Sequence, residues 1–246
     1  MRVLGLDFET TFTDPIDPRE ARIIEIGAVL WDTVRHCPLV TVARTVWLDS
    51  YSYDPRITDL TGMTHEDLKE FGCRPEFALE KLLKLMPMAD AIVAHNGNDF
   101  DKPVLESELK RYGITGIEKP WVDTTSDVRY PDKIQTRKLD FLAPAHGFLN
   151  PFAHRALFDV LSMLKVMSHY NFDEIFARSQ IPDIRIRADI AKPFGPTAVQ
   201  GKRQNEEAKA RGYRYDGDEK IWAKRIKEDE LEKESQEAPF PIIVLR

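Results

Sequence analysis

The apolar residues of this chain change their period once, and that change limits the folds open to it. Up to residue 48 they come in β-type runs. Val3–Glu9 alternates, with Leu4, Leu6 and Phe8 set against Val3, Gly5, Asp7 and Glu9. Ile23–Trp31 carries Ile23, Ile24, Ile26, Val29 and Leu30, and Leu39–Leu48 carries Val40, Val42, Val46 and Trp47. Short polar links between them predict an antiparallel meander of three strands. From Thr64 the spacing turns helical. Thr64-His65-Glu66-Asp67 reads as an N-cap followed by first-turn acids, and Pro75–Met86 places Phe77, Leu79, Leu82, Leu83 and Leu85 at near-helical intervals. Short strands at Ala91–Ala94 and Trp121–Asp123 then alternate with helices. These run from about Lys102 to a stop at Gly113, over Lys138–His146 and over Ala156–His169. Strands first, then strands interleaved with helices, predict an α/β fold with a mixed sheet flanked by helices, ending near Arg178.

Three groups of polar residues interrupt this pattern. Asp7 and Glu9 stand two apart on one strand and so share a face. Two acids there repel each other and lose hydration unless a cation offsets them; the alternative is a frayed strand end in solvent. Ala94-His95-Asn96-Gly97-Asn98-Asp99-Phe100-Asp101 runs from a short apolar strand through a glycine-containing turn into a helix. Asp101 there is either a helix cap or a carboxylate facing Asp7 and Glu9, with Asp99 as its competitor. In His154-Arg155-Ala156-Leu157-Phe158-Asp159 the first and last residues are five helical steps, about 140°, apart, so His154 belongs to the preceding loop or first turn. Asp159, among Leu157, Phe158, Val160 and Leu161, is expected to be buried and to need a metal or a partner such as Arg155.

Taken together, four carboxylates and one histidine converging in a mixed sheet describe a hard-cation site. Carboxylate oxygens suit Mg2+ or Mn2+, and the lack of thiolates or clustered histidines disfavours zinc or copper. Two divalent cations ~3.5–4 Å apart recur where phosphodiesters are cleaved. No His-Glu-x-x-His occurs, so a zinc peptidase is not indicated.

These residues also resemble the motifs of the DEDDh (DnaQ-like) 3′–5′ exonuclease superfamily. That family includes the proofreading subunit of bacterial DNA polymerase III, ribonuclease T and the three-prime repair exonucleases. Leu6-Asp7-Phe8-Glu9-Thr10-Thr11 is similar to its first motif. His95-Asn96-Gly97-x-x-Phe100-Asp101 resembles the second, in the three-prime repair spacing, which selects Asp101 over Asp99. His154-x-Ala156-x-x-Asp159 resembles the third, and Leu60-Thr61-Gly62-Met63-Thr64 a segment that abuts the terminal nucleotide. The resemblance spans roughly Met1–Arg178 in motif order. It implies a ribonuclease-H-like sheet and two cations, Mg2+ or Mn2+. Asp7 would bridge both ions, Glu9 and Asp159 would hold the one that binds the attacking water, and Asp101 would support the other. His154 would be the general base, since an imidazole titrates near neutrality. Thr10 and Asn96 would lie near the terminal nucleotide, with Met63 as a wedge against its base. The implied partner is a nucleic acid with a free 3′ end, single-stranded, shortened to nucleoside 5′-monophosphates; a second copy of the chain or a polymerase or repair protein would be the protein partner. Alternatives on the same fold are an oligoribonuclease-like hydrolase of very short strands and a catalytically silent nucleic-acid-binding scaffold.

Beyond residue 180 the composition shifts. The organisation expected is an exonuclease domain over 1–180, a linker or irregular crossing over 181–204, and a small accessory module over 205–246. Lys192–Lys227 carries a net +5 and the following Glu228–Glu237 a net −5. Aromatics interleaved with cations, Arg211, Tyr213, Arg214 and Trp222, are candidate contacts to a single strand; packed as a miniature core, they would leave the charges as a solvated face. Pro239–Leu245 is apolar enough to dock as an edge strand. The whole chain of 246 residues has a net charge of −6, which opposes nonspecific binding of long polyanions. No apolar run nears the ~20 residues of a membrane span. Asp7 and Glu9 come too early for a signal peptide. Cys37 and Cys73, with no paired Cys motif, fit a reduced compartment; a cytoplasmic protein is expected.

Overall fold

The computed structural model describes residues 1–11, 17–49, 51, 53–191 and 198–245. It divides into two compact units, Met1–Ser179 and Gln180–Arg246.

In the first unit, β1 (Arg2–Thr10), β2 (Ile23–Asp32) and β3 (Cys37–Thr45) form the antiparallel meander, and β4 (Ala91–Ala94) and β5 (Trp121–Asp123) add in parallel on the other side of β1. The sheet order is β3-β2-β1-β4-β5. Strand alternation decides which helix layer each side chain meets. Leu4, Leu6, Phe8 and Ile92 join a core with α1 (Pro55–Thr61), α2 (His65–Phe71), α3 (Pro75–Leu83) and α4 (Asp101–Arg111). Val3, Val29, Ala91 and Val93 join a second core with α6 (Ala156–Met167) and α7 (Phe172–Ser179). α5 (Leu139–Ala145) precedes α6. Helices thus cover both faces, and the mixed α/β, ribonuclease-H-like architecture expected from the sequence is the one observed.

Local chemistry accounts for the helix starts. Thr64 closes a capping box, taking the N–H of Asp67 while the Asp67 carboxylate takes the Thr64 N–H. In this first unit two helices were not expected. α1 begins with an Asp54 cap and Pro55, but is only seven residues long and carries Ile57 and Thr61 as its buried positions, too little period to detect. α7 follows α6 after a brief turn. Asp101 is not a cap: it is the first helical residue of α4, and no side chain caps that helix.

The second unit holds a sheet of order β7-β8-β6-β9, made of β6 (Asp183–Ala188), β7 (Arg214–Asp216), β8 (Ile221–Lys227) and β9 (Ile242–Leu245). α8 (Ala198–Ala210) and α9 (Leu231–Glu237) contribute Ala208 and Leu231 to its core. The expected linker over 181–204 is corrected here. β6 lies inside the sheet, paired on both sides, because Ile184, Ile186 and Ala188 alternate into the core between Arg185 and Arg187. Flanking prolines had masked that alternation. Residues 192–197, including Lys192 of the basic run, lie outside the described residues. The terminal apolar run docks as the edge strand β9. Among the described residues, no helix is long and apolar enough to cross a membrane.

Candidate active site

Two glycines set the site. On the α6 face of the sheet, Gly5 on β1 and Gly27 on β2 carry no Cβ, and α6 lies in that space. A Cβ on Gly27 would sit 2.2 Å from the Ala156 carbonyl carbon, and one on Gly5 2.7 Å from Val160 and Leu164 side-chain atoms. Only glycine permits this approach. Gly27 is the cross-strand partner of Asp7, and Glu25 of Glu9. The N-terminal turn of α6 therefore passes beside the carboxylates at the end of β1.

Glu25 fastens that turn. Its carboxylate accepts Nε and Nη2 of Arg155 at 2.8–3.2 Å and the Ala156 N–H at 2.9 Å. Arg155 thus pairs with Glu25, leaving Asp159 to other partners. Asp159 Oδ2 accepts the backbone N–H of His154 at 2.9 Å, and its Oδ1 accepts Asn150 Nδ2 at 2.5 Å. His154 has φ 61°, a left-handed conformation uncommon for a residue with a Cβ; the bond from its N–H to Asp159 holds it in the loop. Ligand atoms of Glu9, His154 and Asp159 all lie within 4.8 Å of one another.

Asp101 arrives from β4 through a turn built on Asp123. The Asp123 carboxylate accepts the N–H groups of Asn96 and Asn98 at 3.0 and 3.1 Å and that of Thr125. Asn96 takes φ 64°, which asparagine tolerates. Gly97 is required because its Cβ would stand 2.4 Å from that of Ala94. Asp101 is 1 % exposed, and its Oδ1 has no hydrogen-bond partner. A buried carboxylate oxygen without a donor is costly.

The electrostatics join all four acids. Burial, then the charges of Asp101, Glu9, Asp159 and Glu25, push Asp7 well above the usual carboxylate range. Burial, then Asp159, Glu25 and Asp101, raise Glu9 to about 8. Burial and Asp123 raise Asp101 to about 8, against the pull of backbone amides, and burial lifts Asp159 to about 6 against the His154 amide. Such a group is starved of positive charge. Its hard oxygen donors, one adjacent imidazole and an orphaned buried oxygen fit divalent cations held by carboxylates.

Other expected residues fall differently. Thr10 is buried at the end of β1, and Asn96 is exposed in its turn. Met63, expected as a wedge, is 5 % exposed and packs into the first core, so its side chain offers little to a base. In the second unit Tyr213 is 2 % exposed, edge-on to Phe240 at 5.5 Å. Arg211 is engaged by Glu234 at 3.0 and 3.1 Å and Glu237 at 3.3 Å. Trp222 packs half-buried against Tyr215. Packing thus claims Tyr213, whose expected role as a nucleic-acid contact is corrected; Trp222 is half-buried, Arg211 is ion-paired and Arg214 stays exposed. Sequence reasoning missed Glu25 and Asn150. Glu25 interrupts the apolar run Ile23–Trp31, the same signal that selected Asp159; Asn150 gave none.

Residues 4–167 match the Exonuclease family. The chain belongs to that family, the DnaQ-like 3′–5′ exonucleases. It is 31% identical over 209 residues to the PolC-type DNA polymerase III of Thermotoga petrophila, covering 80% of this chain and 14% of the polymerase. The Thermotoga maritima enzyme is 31% identical over 207 residues, with the same coverage. The chain therefore spans about one seventh, 14%, of the length of these relatives. Among solved structures, E. coli exonuclease I in complex with a dT13 oligonucleotide aligns with a TM-score of 0.58 at 17% identity, over 81% of this chain and 50% of that one. The nuclease domain of 3′hExo, a DEDDh family member bound to rAMP, aligns with a TM-score of 0.56 at 17% identity, over 68% of this chain and 90% of that one. These likenesses establish the shared fold.

Proposed function

We propose that this chain hydrolyses the terminal phosphodiester at the 3′ end of a nucleic acid strand, releasing nucleoside 5′-monophosphates, with Met1–Ser179 as the catalytic part. The observation that carries this reading is the gathering of Asp7, Glu9, Asp101 and Asp159 from three elements into one buried cluster whose mutual repulsion disfavours ionisation without a cation, with His154 beside Glu9 and Asp159. These four carboxylates would hold two divalent cations, Mg2+ or Mn2+. When bound, such cations supply charge neutralisation for the phosphate and activation of water. Asp7, whose carboxyl is raised by the charges of the other three acids, would be the ligand shared between the ions. His154 would accept the proton of the attacking water as general base. Its N–H bond to Asp159 fixes where the loop holds the ring. Asn96, exposed in the turn before Asp101, would meet the terminal nucleotide. The dT13 complex of exonuclease I supports a single-stranded DNA substrate, and the PolC-type relatives support a replication context.

The test is a gel assay with 5′-labelled single-stranded DNA and RNA of equal sequence, with Mg2+, Mn2+ or EDTA. Shortening from the 3′ end that is lost with EDTA, with a 3′ block and in Asp7→Ala supports the reading. An Asp7→Ala protein of full activity, or wild-type protein inert on every strand and metal, overturns it. A strand-length series separates a polymer-degrading enzyme from one restricted to very short oligonucleotides.

A further inference from the structure

The acid site raises an energetic problem that the loop before His154 answers. A nucleic acid strand is a polyanion, and it must approach a cluster of carboxylates on a chain of net charge −6. Bound cations would offset the last phosphates, but the rest of the strand still meets a chain of net negative charge. Contacts to the bases, which are uncharged, do not carry this cost.

The loop displays such a surface. Phe152 is 55 % exposed and Leu149 76 % exposed, on either side of Asn150. The Phe152 ring is backed by Phe158 at 4.7 Å between centroids, so it is supported from within the protein while open to solvent. Asn150 ties this pair to the reacting centre. Its Nδ2 donates to Asp159 at 2.5 Å, and its Oδ1 accepts the Phe152 N–H at 3.1 Å. Phe152 is therefore positioned relative to the same carboxylate that lies beside Glu9 and His154. Burial would have stabilised both apolar side chains; left exposed on either side of a residue bonded to Asp159, they offer an apolar surface to a ligand.

We infer that Phe152, flanked by Leu149, is a stacking platform for one unpaired base near the 3′ end of the substrate strand. This rests on the exonuclease reading above for the identity of the strand. Stacking on a ring is indifferent to base identity, because every base has a π-face. It does require an unpaired base, so the platform favours single-stranded or frayed ends over closed duplex.

The experiment pairs protein and substrate changes. Wild type, Phe152→Ala, Phe152→Leu and Phe152→Trp are assayed with Mg2+ on strands carrying one abasic site at each of the last three nucleotides. Binding is read separately as anisotropy of a labelled strand with a phosphorothioate 3′ end, which is independent of turnover. Loss of a stacked base typically costs roughly 5- to 150-fold in affinity. The expected result is a rise of that size in KM and Kd for Phe152→Ala with kcat unchanged, intermediate for Phe152→Leu and absent for Phe152→Trp. One abasic position should weaken wild type to a similar extent and add nothing in Phe152→Ala. A fall in kcat at constant KM would mean that the ring only supports the His154 loop, and the inference fails. Abasic and Phe152→Ala penalties that multiply at every position would likewise overturn it. Phe152-dependent binding without turnover sinks the exonuclease reading alone; turnover indifferent to Phe152 sinks this inference alone; neither binding nor turnover sinks both.

Discussion

Because Asp7, Glu9, Asp101 and Asp159 are all raised in the folded protein, the stability of the metal-free protein should fall as pH rises. The folded state holds protons that the unfolded chain gives up near pH 4. Stability from this group is thus complete below that pH and is lost as pH climbs through the folded values, about 6 for Asp159 and about 8 for Glu9 and Asp101. Glu9 alone, raised from 4.5 to about 8, corresponds to roughly 5 kcal/mol at about 1.4 kcal/mol per pH unit. The four acids share neighbours and do not add, so a loss on the order of 3–5 kcal/mol between pH 5 and 8.5 is expected for the site. Mg2+ at about 100 times its Kd returns roughly 2.7 kcal/mol, or about 5–10 °C in Tm for a unit of this size. The gain should be large at pH 8.5 and small at pH 5.5, where cations must displace protons. Trp31, Trp47 and Trp121 lie in Met1–Ser179 and Trp222 outside it, so fluorescence melts of Trp222→Phe report the catalytic unit. Asp101→Asn, with one carboxylate fewer, should flatten the metal-free pH slope and so separate the site from other titrating groups. A metal-free Tm that rises from pH 5 to 8.5 with the same slope in Asp101→Asn would refute the argument.

Four further outcomes follow from particular contacts. His154→Ala should lower kcat by roughly 10²–10⁴-fold while keeping the Mg2+-induced rise in Tm, a combination that single-turnover kinetics and melts read together. Gly27→Ala forces a Cβ to within 2.2 Å of α6 backbone and should cost about 1–3 kcal/mol or more, with weakened Mg2+ binding by calorimetry because α6 carries Asp159. Glu25→Ala orphans the Ala156 N–H and the Arg155 fork; urea unfolding should show a loss of roughly 1–3 kcal/mol. Tyr213→Ala should destabilise the second unit by about 3–5 kcal/mol, seen as an early transition in Trp222 fluorescence.

Three of the acids were legible because they break a pattern, whereas Asp101 was separated from Asp99 only by the resemblance of its motif. Asp7 and Glu9 end an apolar strand, and Asp159 interrupts an apolar helix; against a regular apolar period such residues stand out in the sequence itself. What was not legible depends on through-space partners. No periodicity says that Asn150 reaches Asp159 across nine residues, or that Gly27 is a gap for α6 to occupy. The second unit shows the same limit from the other side. An alternation of arginine and tyrosine reads equally well as a binding stripe or as a core strand with a charged face. Only the burial of Tyr213 against Phe240, some 27 residues later, decides for the core.

The glycines and the acids are two parts of one arrangement. Four carboxylates cannot be gathered by favourable contacts among themselves, since each one added raises the others. They are gathered because apolar packing on both sides of the sheet fixes β1, α4 and α6, and because Gly27 and Gly97 let backbone approach where a methyl group would hold it off. The stability of the two cores is what keeps the carboxylates together, and bound cations would relieve the cost that packing imposes. A substitution in the packing that never touches the acids, such as Gly27→Ala, should therefore weaken cation binding in proportion to how far it displaces α6. A substitution of an acid that leaves packing intact, such as Asp101→Asn, should raise metal-free stability above pH 8 while abolishing turnover. Opposite signs in those two stabilities, with loss of cation binding in both, separate a site held by its scaffold from one held by its ligands.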